Sequence, residues 1–263
     1  MSAHPRLSLG GLPVDRLDMH AALERMTSLV EAGKGGTVFT PNVDHVVLAT
    51  EDAAFLRAYA AVDLSLADGM PVVWASRLLG EPLPEKISGA DLVGPLLALS
   101  AAKGWRVYLL GGREGVAVRA ADALVRRHPA LAVVGAAGPR VDLSEPASAR
   151  AQVIADIRAA APDIVLVCFG APKQELWIHE SAAALRPAVL LGVGASIDFL
   201  AGTSSRAPAW MSASGLEWAY RLAHEPRRLW RRYLVHDRKF VGIVARELLQ
   251  RAESMAAGRE APP

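Results

Sequence analysis

From Thr37 to about Gly202, short apolar runs alternate with longer segments of helical period. The apolar runs are Thr37–Thr40, Asp63–Leu66, Arg106–Leu110, Ala132–Val134, Asp163–Phe169 and Ala188–Val193. Runs that stay apolar at successive positions suit strands covered on both faces, as in a parallel sheet. Between them, Leu17–Ala32, Val43–Ala60, Ala90–Lys103, Val116–His128 and Ser148–Ala160 have helical length and period. This alternation predicts an α/β fold, a Rossmann-like, mostly parallel sheet flanked by helices. Pro71 stands where a helix can begin after Asp68-Gly69. The pattern changes after Gly202: Leu216–Tyr233 and Lys239–Arg251 read as helices, and no strand follows. The expected organisation is an α/β core over 1–204, a basic, tryptophan-bearing helical appendage over 205–252, and a frayed tail over 253–263.

Composition narrows the class. The chain has 263 residues, of which 52% are hydrophobic, enough to bury a large core. Cys168 is the single cysteine, which excludes an intramolecular disulfide and a multi-cysteine metal site. No apolar run reaches the roughly 18 to 20 residues of a membrane span. Met1–Gly11 lacks the apolar stretch of a signal peptide. The expectation is a cytoplasmic protein whose membrane contact, where it has one, is peripheral.

Charge adds an asymmetry that the net +2 hides. Arg221–Arg251 holds nine basic and three acidic residues, a net +6, against 20 basic and 24 acidic, −4, elsewhere. A basic block suits an anionic partner: nucleic acid, phosphate groups or an anionic membrane surface. A solvated helix face is the alternative reading. Trp210, Trp218, Trp230 and Tyr233 interleave with these arginines, which suits either a membrane interface or packing of the appendage on the core.

Ligands of parallel α/β sheets sit beyond the carboxyl ends of the strands. Thr40, Asn42, Asp44 and His45 follow the first strand there, and Asp68 follows the second. Gly111, Gly112 and Gly115 follow the third, Lys173, Gln174 and Glu175 the fifth, and Asp198 the sixth. Asp68 is either a general base for a hydroxyl or a helix cap. Thr40 and Asn42 share that ambiguity. The Gly111–Gly115 loop either admits a phosphate to backbone N–H groups or is a tight turn. It matches neither GxGxxG nor a Walker A sequence. Lys173 could meet a phosphate and Gln174 a ligand through its amide, whereas Glu175 suits the positive end of a helix. No DxD pair occurs, and His45, His179 and His224 are isolated in sequence, so no metal or other cofactor is expected. Arg221, Arg228 and Arg231 share a helix face if Pro226 does not interrupt it.

The segments TPNVDHVVLA, ADGMPVVWASRLLG, ISGADL, YLLGGREGVA, PDIVLVCFGAPKQELWI, LGVGASIDFLAGTSSRAPAWM and GLEWAYRLAHEPRRLWRRYL run in order from Thr40 to Leu234. In them the chain resembles the WecG/TagA/CpsF glycosyltransferases, glycosyltransferase family 26. The resemblance implies an inverting, metal-independent transferase. Such an enzyme moves a sugar from a UDP-sugar to a polyprenyl-diphosphate-linked saccharide at the inner face of the cytoplasmic membrane. N-acetylmannosamine, its uronic acid and glucose all stand as the sugar, and the product feeds a bacterial surface polysaccharide. By the same resemblance Asp68 would be the base, and Thr40 and Asn42 would line the catalytic pocket. Gln174 and Asp198 would contact the UDP-sugar, and Arg221, Arg228 and Arg231 would reach the lipid diphosphate or the leaving nucleotide. A homo-oligomer in equilibrium with monomers, its site completed by the appendage, is also implied. One departure is visible: the family's usual arginine before the ISGADL motif is Lys86 here, which keeps the charge but loses the bidentate fork.

Two other classes compete. One is a nucleotide- or nucleic-acid-binding regulator using the basic helices. It lacks a helix-turn-helix signature and sets tryptophans among its arginines, so no nucleic-acid partner is expected. The other is an NAD-type oxidoreductase, disfavoured by the missing glycine fingerprint and ribose-binding acid.

Overall fold

The computed structural model describes residues 5–139 and 147–259. Its centre is a six-stranded parallel sheet. In chain order the strands are β3 (Gly36–Phe39), β4 (Leu64–Ser65), β5 (Arg106–Gly111), β6 (Ala132–Ala137), β7 (Ile164–Cys168) and β8 (Val189–Gly192), and their order across the sheet is β4-β3-β8-β7-β5-β6. All five residues of β7 are buried. Alternate side chains enter two separate cores: Val165 and Val167 join Phe39, Leu110 and Leu190 on one face, while Ile164 and Leu166 join Val38, Leu109 and Leu191 on the other. The continuous apolar runs in the sequence therefore report burial on both faces.

Helices cover both faces. Among them are α1 (Met19–Glu31), α2 (Val43–Glu51), α3 (Ala53–Ala60), α4 (Met70–Leu78), α5 (Gly89–Lys103), α6 (Val116–Arg127), α7 (Ala151–Ala160) and α8 (Lys173–Ser181). Asp52 divides the expected helix over Val43–Ala60 in two. Its backbone is extended and its carboxylate accepts from the amides of Ala54 and Phe55, so it starts α3 as a cap. Ser88 and Asp91 form a reciprocal capping box at the start of α5.

One element was not foreseen. Arg6–Leu9 (β1) and Leu12–Asp15 (β2) form an antiparallel hairpin about Gly10-Gly11, both with positive φ. Leu7, Leu9, Leu12 and Val14 are completely buried. The buried Asp15 carboxylate accepts from Arg6 and from the amide of Ser65, fastening the hairpin to β4.

After β8 the chain forms short helices, α9 (Ser196–Leu200), α10 (Ala209–Ala213), α11 (Glu217–His224) and α12 (Pro226–Arg231), then a π-helical turn (Arg232–His236) and the long α13 (Lys239–Arg259). Pro226 does interrupt the expected helix over Leu216–Tyr233, because Glu225 leaves helical geometry and α12 starts anew on the proline. Phe240, Ile243 and Val244 of α13 join the same apolar core as the hairpin and α2. Lys239 binds Glu51 at 2.5 Å, and Arg251 pairs with Glu81.

Candidate active site

Beyond β3 and β4 the chain is zipped at the rim. The amide of Leu66 donates to Phe39 O (2.9 Å), that of Asp68 to Pro41 O (2.8 Å), and that of Ile87 to Ala67 O (2.7 Å). Gly69, at φ +106°, then turns the chain into α4. No side chain caps α4, so the capping alternative for Asp68 falls away. Its carboxyl instead faces a cavity of about 320 Å³, which Lys86, Glu217, Trp218, Arg221 and Tyr233 also line.

Asn42 lines the same cavity and also caps α2. Its Oδ1 accepts from the amide of His45 and from Arg232 Nη2, each at 3.3 Å. Thr40 is buried instead, and its Oγ1 donates to Gly192 O at 3.3 Å. It braces β3 against β8 and is absent from the cavity wall.

Lys86 Nζ lies 2.6 Å from Asp91 Oδ2 and 3.0 Å from Ser212 Oγ. Arg206 pairs with the other Asp91 oxygen, and Ser212 Oγ donates to Glu217 Oε2 at 2.8 Å. Burial would raise the Asp91 carboxyl, but hydrogen bonds from Lys86, Ser88 and Arg206 outweigh it and hold it at about 2. Asp91 thus remains an anion that ties Lys86 and the 206–217 segment to the start of α5. A lysine at this position reaches a single carboxylate oxygen and one hydroxyl, contacts that need no fork.

Asp68 behaves in the opposite sense. Burial, followed by the nearby negative charge of Glu217, pushes its carboxyl up to about 7, against the pull of Lys86 and Arg221. A carboxylate with that affinity takes up a proton near neutral pH, as a general base must.

The sequence-derived arginines separate. Arg221 lines the cavity, whereas Arg231 is exposed, with its guanidinium 5.3 Å from the Trp230 ring centre. The side chain of Arg228 lies outside the described residues. Arg232, not singled out from the sequence, lines the cavity and binds Asp44 at 3.2 Å. Helical spacing misleads here because the break at Glu225–Pro226 and the π-helical turn at Arg232 change the facing of each arginine. Glu217 was also missed as a single residue, although it stands within the GLEWAYRL segment, while Trp218 and Tyr233, read from the sequence as interface or packing residues, line the cavity. Asp44, His236 and Asp237 form a further unforeseen group, with potential ligand atoms within 4.8 Å of one another. These donors could hold a cation, and Arg232 already places a positive charge beside Asp44. Asp237 is pushed up to about 6 by burial and by Asp44.

The other candidates lie outside the cavity wall, beyond β5, β7 and β8. A Cβ on Gly111 (φ +116°) would fall 2.6 Å from Cys168 O, so glycine is needed where β5 meets β7. The amide of Gly112 donates to that same carbonyl at 3.0 Å. Gln174 is buried: its Oε1 accepts from the amide of Gly194 (2.9 Å) and its Nε2 donates to Glu175 Oε1 (2.8 Å). Its amide therefore shapes the loop after β8. Burial pushes the Glu175 carboxyl up to about 7. Lys173 is exposed at the first residue of α8, and Asp198 Oδ1 accepts from Thr203 Oγ1 at 3.3 Å.

The sequence model of the glycosyl transferase WecG/TagA/CpsF family matches residues 7–254. The chain belongs to that family. It is 31% identical over 221 residues to an N-acetylglucosaminyldiphosphoundecaprenol N-acetyl-beta-D-mannosaminyltransferase of Bacillus spizizenii, covering 84% of this chain and 83% of that one. The transferase of the same name from Bacillus subtilis is 32% identical over 200 residues, 76% of this chain and 75% of its own. That of Staphylococcus aureus strain MW2 is 29% identical over 228 residues, 86% and 87% of the two chains. The cavity and both halves of the strand rim fall within the span matched to the glycosyltransferase family. Among the described residues, no helix is long and apolar enough to cross a membrane.

Proposed function

We propose that this glycosyltransferase moves N-acetylmannosamine from a UDP-linked donor to a hydroxyl of a polyprenyl-diphosphate-linked N-acetylglucosamine, with inversion and without a metal. The carrying observation is the Asp68 carboxyl, raised to about 7 in a cavity that also holds Lys86 and Arg221. Asp68 takes the proton of the acceptor hydroxyl. The oxygen attacks the anomeric carbon from the face opposite UDP, one C–O bond forms, and the bond to the diphosphate breaks. A single displacement on an α-linked nucleotide sugar gives a β-linked product, and β-D is the configuration in the relatives' names. Arg221 and Lys86 balance the charge of the diphosphate groups, the role that fixed cations play in phosphate transfer sites. The acceptor's lipid would hold the enzyme at the inner face of the cytoplasmic membrane, where the exposed Trp210 and Trp230 suit an interface. Self-association, with the C-terminal helices completing the site, belongs to the same reading.

The deciding experiment is transfer from UDP-N-acetylmannosamine, UDP-N-acetylmannosaminuronic acid and UDP-glucose to a synthetic lipid-diphosphate N-acetylglucosamine, with and without EDTA. The expected outcome is β-linked product from UDP-N-acetylmannosamine at an undiminished rate in EDTA. Activity lost in EDTA and restored by a divalent cation would bring the Asp44–His236–Asp237 group into the reaction. Transfer from another donor alone would overturn the choice of sugar.

A further inference from the structure

Helix α4 starts inside the cavity and leaves it along one apolar face. Met70 and Pro71 line the cavity wall. Trp74 and Leu78 follow at intervals of four, the spacing that keeps side chains on one helical face. Both are exposed, Trp74 at 45% and Leu78 at 67%, so the stripe is open to solvent for about 6 Å along the helix beyond the cavity. The opposite wall comes from the turn between α10 and α11. There Gly215, at φ +75°, sits so close that a Cβ would lie 2.7 Å from Trp74 Cη2 and 3.1 Å from Met70 Cβ. Leu216 and Trp218 follow it, 39% and 43% exposed, and Trp218 also lines the cavity. The cavity has a second apolar lip at Leu234, but His236, Asp237, Arg238 and Lys239 follow it closely in the chain. The α4 lip continues as an apolar path through Trp74 and Leu78. Arg77 borders that stripe at its outer end.

We infer that the Met70–Trp74–Leu78 face of α4 is the track that receives the first isoprene units of the acceptor's polyprenyl chain as it leaves the cavity. This rests on the acceptor proposed above. The occupant follows from continuity: the stripe begins at the cavity that holds Arg221, the cation suited to the acceptor's diphosphate, and the chain attached to that diphosphate is apolar. Burying a hydrocarbon against Trp74 and Leu78 recovers the apolar area that both side chains expose. The track sets preference for a long lipid chain and has no part in the transfer itself.

The test uses two acceptors, N-acetylglucosamine diphosphates carrying either an undecaprenyl chain or only a methyl group, in detergent micelles without a bilayer. Leu78→Asn is the main variant, because a residue this exposed can be changed without disturbing the core. Val241→Asn, altering a 71% exposed side chain on α13 outside the cavity wall, is the control. Leu78→Asn should raise KM for the undecaprenyl acceptor about tenfold, the worth of one buried aliphatic side chain. It should leave kcat unchanged, leave the short acceptor unaffected, and have no counterpart in Val241→Asn. Equal KM effects on both acceptors, or none on either, would overturn the track. An effect seen only on vesicles, and shared by Val241→Asn, would also overturn it and assign the face to the bilayer surface. If the unmutated enzyme turns over neither acceptor, the transfer reading has failed. Undecaprenyl diphosphate binding, followed by thermal shift, then still decides the track, since only an occupied track makes its stabilisation sensitive to Leu78→Asn.

Discussion

Beyond β3 and β4 the strand rim is roofed by the C-terminal helices, and beyond β5, β7 and β8 it is not built the same way. Under the roof stand Asp68, Lys86, Glu217 and Arg221, around one cavity. On the other side Gly111, Gly112 and Gln174 spend their polar atoms or their space on one another and on the backbone, while Lys173, Arg113 and Glu114 are exposed. The difference is one of solvation. A carboxyl becomes a base near neutral pH only where water is displaced, and the C-terminal helices displace it over Asp68. A bound nucleotide needs close backbone and accessible cations instead, and an open glycine-lined rim suits that. On the proposed function, proton transfer belongs to the roofed half and donor binding to the open half, and the two can be broken separately.

Asp68→Asn is the largest expected break. It should lower kcat about 10³-fold, within the range of a lost general base, while UDP still raises the melting temperature. Residual turnover within tenfold of the parent would remove Asp68 from the base role. The same variant carries a stability signature. Asp68 holds its proton up to about pH 7 in the folded protein and to about 3.8 when unfolded. The folded state therefore binds more protons between those values, and stability falls as pH rises through them. Asparagine removes that penalty, so Asp68→Asn should melt higher than the parent, by more at pH 8 than at pH 5.

The two halves also differ in how far the sequence reveals them. The sheet is legible because burial on both faces leaves an unbroken apolar run, as in Ile164–Cys168. The rim is legible because residues that follow such runs must reach it, and Asp68 and Asn42 do line the cavity there. The roof is not legible residue by residue. None of the described residues of α11 is buried, and α12 is six residues long, so neither leaves a clean periodic pattern. With the break at Pro226 and the π-helical turn, spacing alone selects Arg231, which is exposed, over Arg232, which is not. Thr40 illustrates the reverse error. It stands at the right strand end, yet its hydroxyl turns back to Gly192 O, and no sequence pattern distinguishes those two directions. The N-terminal hairpin was readable in principle: Leu7, Leu9, Leu12 and Val14 alternate about a Gly-Gly turn.

A smaller effect is expected on the open half. Lys173→Ala should raise KM for the UDP-sugar about fivefold, the worth of one exposed cation near a phosphate, with kcat little changed. The pH midpoint of kcat should stay where it is. A shifted midpoint would show that Lys173 acts on Asp68, and the two halves would no longer be separable.

The finest test addresses the roof's electrical contribution. Glu217 hydrogen-bonds to Ser212, lies 4.0 Å from Lys86 Nζ, and is the largest cause after burial of the raised Asp68 carboxyl. Glu217→Gln keeps the shape and the capacity to accept from Ser212 but removes the charge. With that charge gone, Asp68 gives up its proton more readily, so its titration moves down from about 7. Because the base acts when deprotonated, kcat rises with pH through that titration, and the variant should reach half of its own plateau at a lower pH than the parent. The shift should stay under about one pH unit, since burial is the larger cause and remains. A pH–rate profile at saturating substrate measures it directly. An unchanged midpoint would mean that the roof acts on Asp68 by excluding water alone. An upward one would mean that losing Glu217 also lets Lys86 swing away from the cavity, so that the lysine rather than the glutamate dominates the field at Asp68.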